Sequence, residues 1–181
     1  MRVTLIKPAI GRRTEEEYID EGRMEPLMLG VLASLTPPDV EVLMYDDRME
    51  DVPFDEPTDL AAITVEIYTA RRSYEIAAEY RKRGVPVIMG GMHATLVPDE
   101  VAQHADSIFM GDAETMWAQV VEDARRGELQ PRYHGEPGVA QLGSILPNRD
   151  IFKGKGYLPI TLMQYSRGCK FACDFCAISS Y

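Results

Sequence analysis

Short apolar runs alternate with longer segments of helical periodicity along the first 126 residues. The apolar runs are rich in branched side chains and predict five strands, at 2–6, 40–45, 60–65, 86–90 and 107–110. Helical periodicity predicts helices between them, at 27–35, 69–83, 98–104 and 114–126. Strands separated by helices are typical of a parallel sheet whose two faces are both covered. We therefore expect an α/β domain with a doubly wound, five-stranded, Rossmann-like sheet, which would bind ligands beyond the carboxyl ends of its strands.

This pattern ends after Arg126. Residues 131–159 are rich in glycine and proline and are interpreted as a linker, and an apolar run at 160–166 predicts one more strand. The sequence is accordingly divided into an α/β domain (1–130), the linker (131–159) and the incomplete start of a second domain (160–181). A long polar loop at 7–26 is either a solvated segment or a lid over a cofactor.

Composition limits the classes of partner. The chain carries 29 acidic and 19 basic residues, a formal charge of -10, so a polyanion such as nucleic acid would be repelled. We also find no apolar stretch near the roughly 18 residues that a membrane helix needs. These features indicate a soluble, cytoplasmic protein that acts on a small-molecule substrate, without a nucleic-acid or membrane partner.

The three cysteines are confined to the last thirteen residues, in the segment SRGCKFACDFC. Cys169, Cys173 and Cys176 have the spacing Cys-x3-Cys-x2-Cys, which is too crowded for a disulfide framework. Thiolates on one loop can converge on a soft metal centre, either an iron-sulfur cluster or zinc. Structural zinc normally takes four protein ligands, and three thiolates would leave one position open.

This loop resembles the signature of radical S-adenosylmethionine enzymes, in which an aromatic residue, here Phe175, precedes the last cysteine. The resemblance implies a 4Fe-4S cluster on Cys169, Cys173 and Cys176, and S-adenosylmethionine bound to the fourth iron. It covers about residues 160–181, the first strand and cluster loop of a barrel that needs roughly 200 residues when complete. The chain would then be an N-terminal fragment, inactive on its own.

Two turns in the α/β domain also have a distinctive composition. The fourth predicted strand ends in Gly90-Gly91, followed by His93 and Thr95, and the fifth ends in Gly111-Asp112-Ala113-Glu114. Paired glycines remove side chains where a bulky ligand approaches the backbone, and a helix N-terminus supplies amide donors. We interpret the two turns as a shelf at the carboxyl edge of the sheet.

The GGMHAT and GDAE turns, followed by the cysteine loop, resemble the cobalamin-binding domain of one subfamily of radical S-adenosylmethionine enzymes. By this resemblance, the residues near the corrin are Gly90, Gly91, His93, Thr64, Glu66 and Gly111. No histidine lies in the Asp-x-His-x-x-Gly motif that ligates cobalt from below, so His93 is interpreted as a wall of the pocket. The domain could also have kept the fold and lost the cofactor.

The combined resemblance implies a methyltransferase that uses methylcobalamin and acts on an unactivated carbon or phosphorus centre. Other members of the subfamily catalyse rearrangements or cyclisations, and the catalytic residues and the substrate are not defined by the sequence. The alternative from a different class is a non-catalytic, ligand-binding α/β module that ends in a small zinc-binding cysteine knot.

Overall fold

The structure is a computed structural model and describes residues 1–10, 22–136 and 144–180. Six strands are present in this part of the chain: β1 (Arg2–Lys7), β2 (Glu41–Asp46), β3 (Leu60–Thr64), β4 (Val87–Gly90), β5 (Ser107–Met110) and β6 (Arg132–His134). The helices are α1 (Leu27–Leu35), α2 (Ala70–Lys82), α3 (Met92–Leu96), α4 (Pro98–Val101) and α5 (Trp117–Arg126). Two 3-10 turns follow, at Asp150–Phe152 and Ala177–Ser180.

All six strands belong to one sheet, in the order β2-β1-β3-β4-β5-β6, and every pairing is parallel. The chain moves outward in one direction from β1 to β2, then returns past β1 and continues through β3 to β6. The strand order therefore reverses between β1 and β3. In sheets of this kind the ligand crevice lies beyond the carboxyl ends of the strands at such a reversal.

The sheet separates two hydrophobic layers, because successive side chains of a strand point to opposite faces. In β3, Ala61 and Ile63 belong to the cluster that also contains buried residues of α2 and α3. Leu60 and Ala62 belong to the opposite cluster, with buried residues of α1 and α5. Both faces are covered, and this explains why β3 is buried along its whole length.

The predicted α/β class and the Rossmann-like parallel sheet are confirmed, but the count of five strands was wrong. The missed strand, β6, lies in the segment interpreted as a linker and pairs with β5 through Phe109 and Tyr133. It has three residues, of which Tyr133 alone is buried. One apolar residue among polar neighbours has no detectable strand periodicity, and surrounding glycine and proline obscured it further.

The helix predicted at 98–104 is shorter than expected and is preceded by an unexpected one. α4 ends at Val101, and α3 begins at Met92, directly after the glycine pair. Gly91 has a φ of 109°, a conformation that favours glycine, and it separates β4 from α3. His93 and Thr95 therefore lie on a short helix of their own, ahead of α4.

The described C-terminal segment, residues 144–180, differs from its prediction. The run at 160–166 is not a strand in the structure, and no barrel strand is confirmed. Within the part interpreted as a linker, Phe152 is 4% exposed and packs in the α1–α5 layer, where it approaches Gly30. The division into an α/β domain, a linker and a second domain stays a prediction. The loop interpreted as a possible lid falls largely on residues 11–21, outside the described residues.

Candidate functional site

The strand reversal places a polar group of side chains at the carboxyl ends of β1 and β3. Lys7 is the last residue of β1, and its side chain is buried, with Nζ 5.9 Å from the centre of the Tyr68 ring. Glu66 follows β3 and is half-buried. Burial raises the pKa of Glu66 above its usual value, although the charges of Lys7 and His93 act in the opposite direction. A cation, a carboxyl group and an imidazole therefore meet at this crevice, where a polar ligand could be oriented.

Asp47, the residue directly after β2, stabilises the neighbouring backbone. Asp47 is fully buried and accepts two hydrogen bonds of 2.8 Å from the guanidinium of Arg72 on α2. It also accepts a hydrogen bond of 3.1 Å from the backbone N–H of Ala9. Asp47 thus holds the chain that leaves β1 beside the crevice, which gives this carboxylate a structural role.

The second glycine of the fourth turn, Gly91, has a packing reason within the chain. The N–H of Val65 donates to the carbonyl of Gly90 at 2.7 Å, and Thr64 is the register partner of Gly90. A Cβ on Gly91 would lie 2.9 Å from the Val65 carbonyl oxygen, closer than real Cβ contacts. The close approach that requires glycine here is therefore an approach of β3 backbone. The predicted contact of Gly90, Gly91 and Thr64 with a bound corrin stays a prediction.

His93 is held by the protein on two sides. Its backbone N–H donates to the carbonyl of Val65 at 3.1 Å, and its Nε2 lies 3.5 Å from Glu100 Oε1. The side chain is buried and also contributes to the electrostatic environment of Glu66. This environment is compatible with the interpretation of His93 as part of a pocket wall.

Thr95 connects the fourth and fifth turns. Its hydroxyl donates to the carbonyl of Gly91 at 3.0 Å and accepts from the N–H of Gly111 at 2.9 Å. The two turns predicted to form a shelf are therefore brought together by one side chain. Gly111 itself has a φ of 76°, so the end of β5 turns sharply into the acidic residues that follow.

The acidic residues of the fifth turn bind the arginine that precedes the cysteines. Arg167 Nη1 lies 2.9 Å from Asp112 Oδ2, and its Nη2 forms an ion pair with Glu114. The Glu114 side chain is only 8% exposed. These carboxylates, Glu114 first, raise the pKa of Arg167 above its usual value. The sequence indicated that Arg167 lies beside the cysteines, but it gave no sign of its partners.

The three predicted ligands lie on a loop without regular structure. Cys169 and Cys173 are exposed, Cys176 is partly exposed, and none of the three forms a disulfide. The N–H of Cys176 donates to the carbonyl of Cys173 at 3.0 Å, so these two residues share one turn. Phe175 is 92% exposed.

The donor set of this loop fits a soft metal centre by its chemistry. In the part of the chain that the structure describes, however, no three His, Cys, Asp or Glu side chains are gathered as a metal site. Within that part there is also no helix of sufficient length and apolarity to cross a bilayer.

The fold and site define a class: a parallel α/β domain with a group of polar side chains at the carboxyl edge of its sheet. An arginine next to a three-thiol loop forms ion pairs with this edge. No family model matches the chain. The sequence is 34% identical over 175 residues to bacteriochlorophyllide d C-8(2)-methyltransferase of Chlorobaculum tepidum, which covers 90% of this chain and 38% of the relative. It is 28% identical over 166 residues to the C-12(1)-methyltransferase of the same organism, over 87% and 36% of the two chains.

A third relative is named as a cyclase, not as a methyltransferase. The anaerobic magnesium-protoporphyrin IX monomethyl ester cyclase of Rubrivivax gelatinosus is 26% identical over 143 residues, which covers 64% of this chain and 26% of the relative. The chain thus spans between about a quarter and two fifths of the length of these relatives. By their names, these relatives are two methyltransferases and one cyclase.

Proposed function

We propose that the chain is the N-terminal portion of a cobalamin-dependent radical S-adenosylmethionine enzyme that transfers a methyl group to an unactivated carbon. The observation that carries the proposal is the ion pairing of Arg167, next to the three-thiol loop, with the turn that ends β5. This contact brings the two sequence motifs to the same edge of the sheet. The methyltransferase names of the relatives agree with this function.

In this proposal Cys169, Cys173 and Cys176 hold a 4Fe-4S cluster, and Phe175 lies beside S-adenosylmethionine. When bound, the cluster and S-adenosylmethionine supply a carbon-centred radical, and cobalamin supplies the methyl group. The protein provides binding, orientation and electrostatics for these groups. The proposed cobalamin surface consists of Thr64, Glu66, Gly90, Gly91, His93 and Gly111.

The proposed substrate is a small molecule of the tetrapyrrole type. Two relatives are named for methylation of bacteriochlorophyllide d, and a third is named for a magnesium-protoporphyrin ester. A large planar substrate requires a broad apolar surface. Exposed apolar side chains lie near the crevice in the turn after β3, where Ile67 is 78% and Tyr68 57% exposed.

Anaerobic reconstitution with iron and sulfide tests the metal centre. We expect about four irons per chain, as in a 4Fe-4S cluster, and an electron paramagnetic resonance signal after reduction. A triple variant with each cysteine changed to alanine is the control and should bind no cluster. Tightly bound zinc in the purified wild-type chain, with no iron uptake, would instead support the non-catalytic module with a zinc knot.

Titration with hydroxocobalamin tests the second cofactor separately. We expect His93→Ala to weaken binding about tenfold, which corresponds to about 1.4 kcal/mol. His134→Ala is the matched control, because His134 is exposed on β6 and should not affect binding. Cluster formation without any cobalamin binding would indicate a domain that kept the fold and lost this cofactor.

Product analysis tests the prediction that the 181-residue chain is incomplete as a catalyst. The reconstituted and reduced chain should produce no 5'-deoxyadenosine from S-adenosylmethionine, because a complete barrel of the related eightfold type needs roughly 200 residues of its own. A longer protein that contains this sequence and matches the length of the relatives should produce it. Turnover by the 181-residue chain would contradict the prediction of inactivity.

A further inference from the structure

The contact between Arg167 and the turn after β5 has features of a positioning device. We call residues 112–114 the acidic turn and residues 168–176 the cysteine loop. Arg167 is the residue immediately before this loop, and its guanidinium reaches both carboxylates of the acidic turn. A guanidinium is planar and permanently charged, so its hydrogen bond to Glu114 defines a direction, and the close opposite charge of Asp112 adds attraction.

The backbone at the acidic turn is held by contacts on two sides. On one side, the Gly111 N–H is bound by the Thr95 hydroxyl at 2.9 Å. On the other side, the N–H of Gly135 donates to the carbonyl of Met110 at 2.8 Å. A Cβ on Gly135 would lie 1.9 Å from the Asp112 carbonyl oxygen, so the backbone after β6 passes directly against the turn. The Asp112 and Glu114 carboxylates therefore lie on a turn whose backbone is attached to the neighbouring turns at the end of the sheet.

Burial distinguishes this ion pair from an ordinary surface pair. The side chains of Arg167 and Glu114 are 21% and 8% exposed, whereas those of Arg132 and Asp99, which form another pair, are 45% and 87% exposed. Exposed pairs contribute little to stability, but loss of one partner from a shielded pair leaves a charge with poor solvation. Glu114 would be such a charge without Arg167.

The position of Cys169 depends on that of Arg167, because the two residues are close in the chain and the local backbone is held. Gln164 Oε1 accepts from Arg167 Nε at 3.2 Å and from Nη2 at 3.1 Å, so the guanidinium is also held from its own segment. Gly168 then has a φ of 75°, and the chain turns at this residue into Cys169. One residue therefore separates the fixed guanidinium from the first thiol.

We propose that Arg167 is a positioning residue that holds the cysteine loop at the β5 end of the sheet through Asp112 and Glu114. The inference rests on the proposed function only in assigning a cluster to the loop. It predicts that the location of Cys169 depends on this ion pair before any metal is bound. It also predicts that correct placement of the cysteine loop requires opposite charges at positions 167 and 114.

A distance measurement between two spin labels tests the proposal on the metal-free chain. One label is attached to Cys169, after Cys173→Ser and Cys176→Ser, and the other to Ala118→Cys, an exposed position on α5. We expect Arg167→Gln to broaden the distance distribution at least about twofold, because the loop would lose its anchor. Glu114→Gln, which removes the charge from the other side, should have the same effect.

Exchange of the two charges separates positioning from simple loss of structure. The variant Arg167→Glu, Glu114→Arg, combined with Asp112→Asn so that the new carboxylate at position 167 meets no like charge, should restore most of the narrow distribution, whereas either single charge reversal should broaden it. Arg132→Gln, which breaks the exposed pair with Asp99, is the matched control and should leave the distribution unchanged. Circular dichroism melting checks that each variant folds. An unchanged distribution in a folded Arg167→Gln variant would overturn the proposal.

A second readout connects the ion pair with the metal centre in the chain that has all three cysteines. Arg167→Gln should lower iron incorporation severalfold relative to wild type under identical reconstitution, and the charge exchange should recover it. If wild type takes up no iron while the label distances respond as expected, the proposed function fails and the positioning role remains. If wild type takes up iron and the distances do not respond, the positioning role fails alone.

Discussion

The sheet and the C-terminal segment, residues 144–180, are held in place by different kinds of interaction. In the sheet, Val3, Leu5 and Ile6 of β1 are completely buried. The C-terminal segment places Phe152 in the core, with Ile151 and Tyr157 packed against the same cluster, and it also attaches through ion pairs. Arg149 pairs with Glu25, Lys155 with Glu50 and Arg167 with Glu114.

This difference indicates which region contributes most to the free energy of folding. Burial of apolar surface is the dominant favourable term in folding, so the sheet should be stable by itself. Ion pairs with partial exposure contribute much less but define direction. The C-terminal segment is therefore positioned more than it is stabilised, which suits a segment that has to arrange a cofactor loop.

The largest expected effect is a loss of stability caused by a substitution in the sheet. Leu5→Ala should reduce the free energy of unfolding by about 4 kcal/mol, because Leu5 is fully buried in a central strand and its loss leaves a cavity. Met163→Ala, at a side chain 84% exposed in the C-terminal segment, should change stability by less than about 0.5 kcal/mol. Denaturant unfolding followed by circular dichroism measures both. Similar losses in the two variants would show that the regions do not differ as described.

The next effect concerns the apolar anchor of the C-terminal segment. Phe152→Ala should cost about 3 kcal/mol of local stability and release the segment around it, because the ring fills the space beside Gly30 and contacts the Tyr157 ring. Chymotrypsin cleavage at Tyr157 should accelerate while the far-ultraviolet spectrum of the sheet is retained. Ile160→Ala, at a half-exposed side chain, is the control. Equal cleavage rates in wild type and Phe152→Ala would contradict this anchoring role.

A smaller effect is expected from the loss of one hydrogen bond that attaches the same segment. The Tyr157 hydroxyl donates to Asp46 Oδ2 at 2.8 Å, and Tyr157→Phe should cost about 1.5 kcal/mol, as for a hydrogen bond to a charged group. Burial, followed by the charge of Asp46, raises the pKa of Tyr157.

The sign of the pH dependence follows from the raised pKa. The stabilisation by Tyr157 is fully present below the unfolded pKa of about 10, and it is lost as the pH rises further, because the unfolded phenol ionises first. Stability measured from pH 7 to 11 should therefore decline more steeply for wild type than for Tyr157→Phe. Parallel profiles would argue against this linkage.

The smallest effect lies at the crevice. Burial raises the pKa of Glu66, so its ionised form is disfavoured in the folded chain. Wild type should lose stability relative to Glu66→Gln as the pH rises from about 4 through the folded pKa, a difference of less than about 1 kcal/mol. Melting temperatures at pH 4 and 7 measure it, and the exposed Glu128→Gln is the control. A variant that is less stable than wild type at pH 7 would indicate that Lys7 and His93 outweigh burial.

The sequence predicted the central strands well and the connections between regions poorly. β1 to β5 were found because runs such as LAAIT are apolar on both faces. β6 was missed because a single buried residue, Tyr133, has no periodicity to detect. Helix α1 was predicted at its observed bounds, Leu27–Leu35.

The residues of the candidate site could be predicted where they are neighbours within one short sequence motif. The cysteine spacing and the glycine turns could be identified directly from neighbouring residues. Lys7 was missed because a lysine at the end of an apolar strand gives no local sign that it is buried. The partners of Arg167 are 53 and 55 positions away along the chain, and such pairings are defined only by the fold.

The short sixth strand also determines how the domain can be subdivided. A piece of the chain that stops at residue 126 or 130, as the sequence pattern alone would suggest, lacks β6 and leaves the outer hydrogen-bonding groups of β5 uncovered. Uncovered strand edges are templates for pairing with another chain. Such a shortened domain should therefore aggregate more readily than one that extends through Gly135, because the edge strand of the longer piece is β6, which has only three residues.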